Sequence, residues 1–340
     1  MRLPPHLLES VGFQFGDPDL EKTTERLLRA LRDDTGNDCD ELRNEIRRLV
    51  IAHLPPVVSL DALAVMIGYS PSFVWYLIHR KDRLYRIFTL TMGRKRRQIE
   101  APRVALKIIQ KWLAFHWEKK WRADVPQWVH GFVRGRSHLT AAQAHLGAKW
   151  VLSVDIQDAF PSTSAEQVSN ALRALGYHTD ESVEILTALT TWDGRLPQGA
   201  PTSPVLFNIA FSAIDGKLGA LARRHRIRLT RYADDIVFSG IAEPPSGLLE
   251  DLHGVFEGSS WQIHSDKIEM KERPTRLKVH GLLVDGDRIR LTKGYRNKIR
   301  LYRFLLESKS LKPDEERRLK GHVAYADHVE RLAAPARGEA

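Results

Sequence analysis

Cysteine is almost absent from this sequence of 340 residues, with Cys39 as its single example. One cysteine excludes an intramolecular disulfide framework and a zinc site built from several cysteines. No uninterrupted apolar run reaches the roughly 18 residues that a membrane-spanning helix needs. The first residues, MRLPPHLLES, lack the charged-then-apolar order of a secretory signal peptide. We therefore expect an intracellular, soluble protein with no membrane partner.

Acidic residues are too few to balance the basic ones. Lys and Arg number 52 against 42 Asp and Glu, which gives a formal net charge of +10. This excess predicts a polyanionic partner, with nucleic acid as the simplest choice and anionic lipid as the alternative. An apolar share of 43% excludes disorder as the main state, and the length predicts two or three lobes.

Residues 60–78, LDALAVMIGYSPSFVWYLI, predict two helices separated by a turn at Gly68. Ser70 followed by Pro71 is a typical helix start. This is the layout of a helix-turn-helix, but a recognition helix for DNA offers polar side chains to base edges. The apolar residues of the second helix are Phe73, Val74, Trp75, Leu77 and Ile78. We therefore favour a packed structural pair over a DNA reader.

The next segment predicts a β-hairpin with a basic tip. Two strands, at 85–91 and 96–102, flank MGRK, and the basic stretch at the tip is Gly93-Arg94-Lys95-Arg96-Arg97. The tip is either a solvated turn or a phosphate clamp, because guanidinium groups match phosphate oxygens. A helix with a core-facing tryptophan stripe follows at 103–121.

The segment WVLSVDIQDAF, at 150–160, predicts a largely buried strand that contains Asp155. A buried carboxylate costs free energy unless a cation or several hydrogen-bond donors compensate its charge. Taken alone, Asp155 is explained equally well as a strand-end residue that caps a turn.

Two further acids, Asp234 and Asp235, lie at the tip of a second predicted hairpin, IRLTRYADDIVFSG at 227–240. The apolar run that follows them presses the carboxyls toward the core, where mutual repulsion raises a pKa unless divalent metal lies between them. With Asp155 they supply three carboxylates, enough for two Mg²⁺ ions that activate a 3′-hydroxyl and neutralise pyrophosphate. Hard oxygen ligands favour Mg²⁺ over zinc, with Mn²⁺ as the substitute ion.

Together these motifs resemble those of retron-type bacterial reverse transcriptases. RYADDIVFSG is similar to the YxDD box of that family, SVDIQDAFPS to its first catalytic-aspartate box, and LPQGAPTSPVLFNIAF to the box that lines the nucleotide pocket. WQIHSDKIEM and LKVHGLLVD resemble the two boxes after the catalytic hairpin, and GHVAYADHVE resembles the thumb. The resemblance covers roughly residues 60–330.

The resemblance implies an α+β fold with the shape of a right-hand polymerase, in which an antiparallel palm sheet carries the acids between mixed fingers and a helical thumb. The expected segments are an N-terminal helical extension (1–58), fingers (59–150), a palm (151–285, with a fingers-side insertion at about 165–200), a helical thumb (286–332) and a flexible tail (333–340).

The resemblance also assigns chemistry to the acidic site. Asp155, Asp234 and Asp235 are its catalytic metal ligands, with the backbone carbonyl of Ile156 as a further ligand. Lys267 matches a proton donor to pyrophosphate, although an exposed lysine beside a strand explains it nearly as well. Three purely structural acids are the alternative for the carboxylates.

The residues that the resemblance assigns to the incoming nucleotide are Arg96, Arg97, Phe160, Gln198 and Gly199. Arg97, with Arg96 as a second candidate, matches the triphosphate-binding position. Phe160 matches the bulky ring that excludes a 2′-hydroxyl, so the product is expected to be DNA; a core phenylalanine is the alternative. Gln198 contacts the nucleotide, and Gly199 permits a close backbone approach.

The residues assigned to RNA are His145, His280, Arg296 and Arg300. A buried core histidine is the alternative for His145. The two arginines belong to a pair of predicted helices that separate at Lys312-Pro313, and a solvated basic face is their alternative.

Two signatures depart from the retron pattern. The usual Asn-Ala-x-x-His is replaced by AAQAH at 141–145, and the usual Val-Thr-Gly by VHG at 279–281. Because these segments are implicated in recognising the cognate RNA, the departures affect the retron assignment rather than the polymerase assignment.

The implied function is RNA-directed DNA polymerisation from dNTPs in the bacterial cytoplasm. The enzyme would bind a cognate structured non-coding RNA, prime from one of its 2′-hydroxyls and leave a branched RNA–DNA hybrid (msDNA). It would serve antiphage defence with a separate effector protein. One alternative is a defence-associated reverse transcriptase that makes untemplated or protein-primed DNA. The alternative of another class is a catalytically silent RNA-binding scaffold.

Overall fold

The computed structural model describes residues 25, 27–29, 39–93, 95–307 and 311–333. Almost all of the predicted tail and the larger part of the predicted N-terminal extension lie outside these residues. The chain divides into two compact units, one formed by Met1–Val125 with Asp158–Ala213 and the other by Pro126–Gln157 with Ile214–Ala340. The finer division into fingers, palm and thumb stays a prediction.

Helices and antiparallel sheets alternate along the chain. In chain order the helices are α1 (Cys39–Ile51), α2 (Leu60–Ile67), α3 (Pro71–His79), α4 (Val104–Trp121), α5 (His138–Gln143), α6 (Ala165–Leu175), α7 (Asp180–Thr190), α8 (Ser203–Ala210), α9 (Ser212–His225), α10 (Leu248–Phe256), α11 (Lys293–Glu307) and α12 (Pro313–Ala333). The strands are β1 (Tyr85–Met92), β2 (Lys95–Pro102), β3 (Trp150–Asp155), β4 (Arg228–Tyr232), β5 (Asp235–Gly240), β6 (Glu269–Glu272), β7 (Lys278–Val279), β8 (Leu282–Leu283) and β9 (Arg290–Leu291). The prediction of an α+β fold is confirmed.

The first unit contains the predicted helix pair and hairpin. Ser59 caps α2 by accepting a hydrogen bond from the Ala62 amide, and Ser70 caps α3 in the same way. Gly68 ends α2 with φ +70°, the left-handed conformation that glycine adopts without strain. Val74 and Leu77 of α3 are buried, as a packed structural pair requires, whereas Trp75 is 48% exposed.

The core of this unit lies between α4 and its neighbouring helices. The expected core tryptophans of α4 are buried, and the indole of Trp117 donates a hydrogen bond of 3.1 Å to the Tyr177 hydroxyl. The hydroxyl of Tyr177 in turn donates to the Pro55 carbonyl at 3.1 Å. The buried indole N–H of Trp117 and the buried hydroxyl of Tyr177 are therefore both paired.

The second unit is organised around a four-stranded antiparallel sheet with strand order β4-β5-β3-β6. Its central strands are β3 and β5, and both consist largely of buried residues. A smaller sheet, β7-β8-β9, shares a hydrophobic core with α11 and α12, to which Ile299 and Val329 contribute. The predicted break between α11 and α12 is confirmed, because α12 begins at Pro313.

The strand predicted at 150–160 is shorter than expected, since β3 ends at Asp155. The chain turns there because the Ile156 amide donates to the Asp234 carbonyl at 3.0 Å and Asp158 adopts φ +45°. Asp155 therefore stands at the end of a strand rather than inside one.

In the part of the chain that the structure describes, no single helix has both the length and the apolar character needed to cross a membrane, although two sharply bent pairs, α2 with α3 and α8 with α9, meet those criteria jointly.

Candidate active site

Three acidic side chains adjoin one another where β3 and β5 meet. Asp155, the last residue of β3, is the direct cross-strand partner of Asp235, the first residue of β5. Directly opposed residues of an antiparallel pair have neighbouring side chains. Asp234 lies in the turn between β4 and β5, and its carbonyl accepts from the Ile156 amide. The sequence placed both Asp234 and Asp235 at the hairpin tip; Asp235 is instead already paired within the ladder.

The surroundings of the Asp235 carboxyl favour its protonated form. Burial is the largest cause that raises the pKa of its carboxyl, to about 7, and the charges of Asp234 and Asp155 raise it further. A hydrogen bond with Asp155 also favours the protonated form, while the Lys267 ammonium opposes the shift. Such repulsion between carboxylates is what a bound divalent cation relieves.

Two basic side chains face the acids. The Lys267 ammonium forms an ion pair with the Asp155 carboxylate. His280 Nδ1 lies 3.8 Å from Asp235 Oδ2, and the imidazole packs at a tilt of 54° against the Tyr232 ring, with centroids 5.3 Å apart. Nε2 of His280 is buried without a hydrogen-bond partner. The structure thus places His280 beside the acids; its predicted contact with RNA stays a prediction.

The chemistry of the donor set fits a hard divalent cation, because the nearby oxygens are carboxylates and backbone carbonyls. Among the described residues, no three His, Cys, Asp or Glu side chains are grouped so that they could hold a metal ion as they stand. Asp155 is instead engaged by Lys267 and Asp235. A cation that bound here would compete with the Lys267 ammonium for the Asp155 carboxylate.

The first unit holds the residues predicted to bind the nucleotide, and the buried acid Glu100 contacts one of them, Gln198. Glu100 is 3% exposed and accepts two hydrogen bonds from the Arg195 guanidinium, at 3.0 and 2.7 Å. It also accepts from the Gln198 amide at 3.1 Å, and its own amide donates to the Gln198 carbonyl at 2.8 Å. Sequence reasoning missed Glu100; its only signal was an acid at the end of an otherwise basic strand.

Gly199 is required by its backbone conformation and by the closeness of β2. Its φ is +136°, and a Cβ at this position would lie 3.0 Å from the Glu100 carbonyl oxygen. The expected close backbone approach at Gly199 therefore exists within the protein, between this loop and β2.

Arg96 and Arg97 lie on opposite faces of the hairpin. Arg97 pairs across the strands with Leu90, and Arg96 pairs with Thr91. Successive side chains of a strand point to opposite faces. The two exposed guanidinium groups therefore lie on different sides of the hairpin, and one cannot replace the other in binding the same phosphate.

The Phe160 ring packs edge-on against Phe207, with centroids 5.6 Å apart and an interplanar angle of 77°. Its side chain is only partly buried. This contact orients the ring, and the role of Phe160 in sugar selection stays a prediction.

His145 is a core histidine. It is fully buried, and its two ring nitrogens hydrogen-bond to Ser239 Oγ at 2.7 Å and Thr230 Oγ1 at 2.8 Å. Burial lowers its pKa to about 3, so the ring is neutral. We therefore correct the prediction that His145 contacts RNA, because the ring has neither exposed surface nor an open nitrogen to offer.

Arg296 and Arg300 are exposed on α11. Their spacing of four residues places both side chains on the same helix face. This arrangement suits contact with a phosphate backbone, and their binding to RNA stays a prediction.

An antiparallel sheet with acids at adjoining strand ends has the organisation of a polymerase palm. The model of the family described as "Reverse transcriptase (RNA-dependent DNA polymerase)" matches residues 80–283. The match covers more than half of the chain, and the chain belongs to this family.

The chain is also similar to individual retron reverse transcriptases. Retron Mx162 reverse transcriptase of Myxococcus xanthus is 32% identical over 323 residues, covering 83% of this chain and 65% of that protein. Retron Ec86 reverse transcriptase of Escherichia coli is 29% identical over 240 residues, covering 69% and 74%. The chain thus spans just under two thirds of the Mx162 protein. The resemblance to retron-type enzymes is confirmed.

Among solved structures, apo telomerase from Candida tropicalis, truncated from its C-terminal domain, matches with a TM-score of 0.45 at 10% identity. The match covers 83% of this chain and 82% of the telomerase chain.

Proposed function

We propose that this chain is an RNA-directed DNA polymerase that joins dNTPs with the help of two Mg²⁺ ions, for which Mn²⁺ can substitute. One observation carries the proposal: Asp155 and Asp235 are cross-strand partners with Asp234 in the adjoining turn, in a chain of the reverse transcriptase family.

The carboxylates of Asp155, Asp234 and Asp235, with the Ile156 carbonyl, would hold the ions. When bound, the ions supply activation of the primer 3′-hydroxyl and neutralisation of the pyrophosphate leaving group. Burial and the neighbouring carboxylates raise the pKa of Asp235 to about 7, and its carboxyl would bind an ion in the deprotonated form. Lys267, which pairs with Asp155 here, would protonate the pyrophosphate leaving group.

Nucleotide selection is assigned to residues of the first unit. Gln198 contacts the incoming nucleotide from a loop that Glu100 holds against β2. Arg97 binds the triphosphate, and Phe160 excludes a 2′-hydroxyl, so that dNTPs are preferred over ribonucleotides.

Primer extension on a defined RNA template tests the polymerase proposal. Purified wild-type protein should extend a DNA primer with dNTPs and Mg²⁺, and Asp234→Asn should reduce the rate by about 1,000-fold, because a metal ion contributes several kcal/mol to the transition state. The matched control is Asp287→Asn, an exposed acid of the same unit, which should keep the wild-type rate. Equal extension by wild type and Asp234→Asn, or none by either, would favour a silent RNA-binding scaffold.

We propose further that the template is a cognate structured non-coding RNA, primed from one of its 2′-hydroxyls to give a branched RNA–DNA hybrid. The similarity to retron reverse transcriptases supports this proposal. Arg296 and Arg300 would follow the phosphates of the A-form RNA–DNA hybrid. In this proposal the hybrid acts in antiphage defence with a separate effector protein in the bacterial cytoplasm.

Sequencing of nucleic acid that copurifies with the protein separates the alternatives. One small RNA joined through a 2′-hydroxyl to DNA of complementary sequence is expected. DNA of random sequence, or DNA joined to protein, would instead identify a defence-associated reverse transcriptase of the untemplated or protein-primed kind. Loss of phage protection in Asp234→Asn, but not in Asp287→Asn, would connect the DNA synthesis to defence.

A further inference from the structure

Arg231, in β4, forms a fully buried ion pair with Asp215 of α9. The guanidinium Nε donates to Asp215 Oδ1 at 2.7 Å and Nη2 donates to Oδ2 at 2.6 Å. Both side chains are 0% exposed. A third donor, Nη1, reaches the carbonyl of Ala233 at 3.0 Å. One side chain thus connects α9 with the turn that contains Ala233 and Asp234.

The backbone of Arg231 is held as firmly as its side chain. Its amide donates to the Trp128 carbonyl at 2.7 Å, and its carbonyl accepts from the His130 amide at 2.7 Å and the Gly131 amide at 3.3 Å. Gly131 lies directly against the turn, since a Cβ there would come within 1.9 Å of the Ala233 nitrogen. The segment Trp128–Gly131 therefore supports the turn from the side, and only glycine permits this approach.

The turn itself needs such support. Ala233 has φ +58°, the left-handed region in which a residue with a Cβ is strained by roughly 1–2 kcal/mol. A strained backbone persists where the surroundings fix it, and the Nη1 bond to the Ala233 carbonyl acts on that residue directly.

We infer that Arg231 and Asp215 are positioning residues that hold the turn at Ala233 so that Asp234 and Asp235 keep their register opposite Asp155. The inference rests on the proposed polymerase function for its kinetic consequence. Asp215 acts through Arg231, by orienting the guanidinium in one plane, and neither residue contacts a reacting atom.

Stability alone does not account for this pair. Replacing a buried ion pair by apolar residues of similar volume is often neutral or stabilising, because both charges must be desolvated. Burial indeed raises the pKa of Asp215, which shows the cost of keeping the acid there. The planar guanidinium, however, can serve two carboxylate oxygens and a carbonyl at once, which neither a lysine nor an apolar side chain can do.

The test compares Arg231→Lys with the charge-free pair Arg231→Met/Asp215→Leu in the full chain. In Arg231→Lys the ammonium keeps a positive charge opposite Asp215 but cannot donate to both carboxylate oxygens and the Ala233 carbonyl at once. If Arg231→Lys does not fold, the apolar pair removes the same hydrogen bonds while keeping a similar packed volume. The matched control is Arg224→Lys, because Arg224 pairs with Asp251 at the surface of the same unit, 3.2 Å apart. Melting temperatures establish that each variant is folded.

Amide hydrogen exchange is the first readout, and it does not depend on activity. In the Arg231 variants the amides of Asp234, Asp235 and Ile156 should exchange about tenfold faster, while those of α12 keep their wild-type rates. The Arg224→Lys control should match wild type throughout. Unchanged protection of the turn in a folded Arg231 variant would overturn the inference, whether or not the wild type polymerises DNA.

Steady-state kinetics are the second readout. Displacement of catalytic groups by about 1 Å lowers rates by about 100-fold, so kcat should fall by that order while KM for dNTPs stays within about threefold. A purely structural role predicts instead a lowered melting temperature with an unchanged kcat for the folded fraction, and that result would also overturn the inference. An inactive wild type with faster exchange in the variants would contradict the proposed function while supporting the positioning role.

Discussion

Glu100 and Arg195 form a two-point ion pair, Oε2 to Nη1 at 3.0 Å and Oε1 to Nη2 at 2.7 Å, that joins the end of β2 to the loop containing Gln198. Glu100 is nearly buried, while the Arg195 side chain is 24% exposed. A buried carboxylate is stable only if hydrogen bonds replace those it made to water. The Gln198 amide donates a third hydrogen bond to Glu100, in addition to the two from Arg195.

Removal of the Glu100 charge should therefore disturb both stability and nucleotide binding. Glu100→Gln leaves the Arg195 guanidinium without its anion, which should cost about 3 kcal/mol in the free energy of unfolding. The freed loop should raise KM for dNTPs more than it lowers kcat. Urea unfolding and single-nucleotide incorporation measure the two effects. Glu166→Gln, an exposed acid of the same unit, should change neither, and an unaltered KM in Glu100→Gln would argue against the positioning of Gln198.

The opposite orientation of Arg96 and Arg97 predicts unequal effects on nucleotide binding. A charged hydrogen bond to phosphate contributes about 1.5–3 kcal/mol, so Arg97→Ala should raise KM for dNTPs by about tenfold or more. Arg96→Ala serves as the matched control and should change KM by less than about threefold, because its side chain lies on the other face. Equal KM changes in both variants would indicate a general electrostatic contribution. A larger KM change in Arg96→Ala would indicate that Arg96, rather than Arg97, binds the triphosphate.

The pairing of Lys267 with Asp155 predicts opposite effects on metal binding and on catalysis. In Lys267→Met a cation no longer competes with the ammonium for Asp155. The Mg²⁺ concentration that gives half of the maximal rise in melting temperature should therefore fall by up to about fivefold, because a partly exposed ion pair contributes at most about 1 kcal/mol. The kcat should fall by about 100-fold if the lysine protonates pyrophosphate.

Lys271→Met is the control for this experiment, because Lys271 pairs with Glu269 on β6. Its metal titration and kcat should remain those of wild type. A normal kcat in Lys267→Met would assign the lysine a purely electrostatic role at the strand end.

The buried His145 predicts a loss of stability in acid. Its pKa is about 3 in the folded protein and near 6.5 when unfolded, so the unfolded chain binds the additional proton between these values. The neutral His145 imidazole makes its full contribution to the free energy of unfolding above pH 6.5, and this contribution decreases as the pH falls. Between pH 7 and pH 5 the loss should be about 2 kcal/mol.

Urea unfolding of wild type and His145→Gln at pH 7 and pH 5 measures the part of this loss in the free energy of unfolding that is due to His145. The other histidines whose pKa is lowered by burial contribute to both proteins and cancel in the comparison; they are His116, His130, His138 and His280. The wild type should lose about 2 kcal/mol more than the variant. Parallel losses would mean that the imidazole is protonated without unfolding.

Local patterns in the sequence predicted the secondary structure that surrounds the acids. The apolar runs of the predicted strands, the tight turn beside Asp234 and the helix start at Ser70-Pro71 all act over a few residues, and the helices and hairpins they predict are present. The family boxes likewise led to the correct class, since their residues are close together in the chain.

Predictions failed where packing decided the result. Trp75 looks like a core residue by composition, but the rotation of α3 exposes it. His145 offered two interpretations, and only the positions of Ser239 and Thr230 on neighbouring strands distinguish them.

The sequence by itself determined the chemistry available to this protein: three carboxylates in two boxes, a basic excess and the residues of a reverse transcriptase. The tertiary structure alone decided which groups oppose one another, such as Asp155 with Asp235, Glu100 with Arg195 and Asp215 with Arg231. The physical reason is that these partners are 16 to 95 residues apart in the chain, so their pairing depends on strand register and on the burial of charge rather than on local propensity.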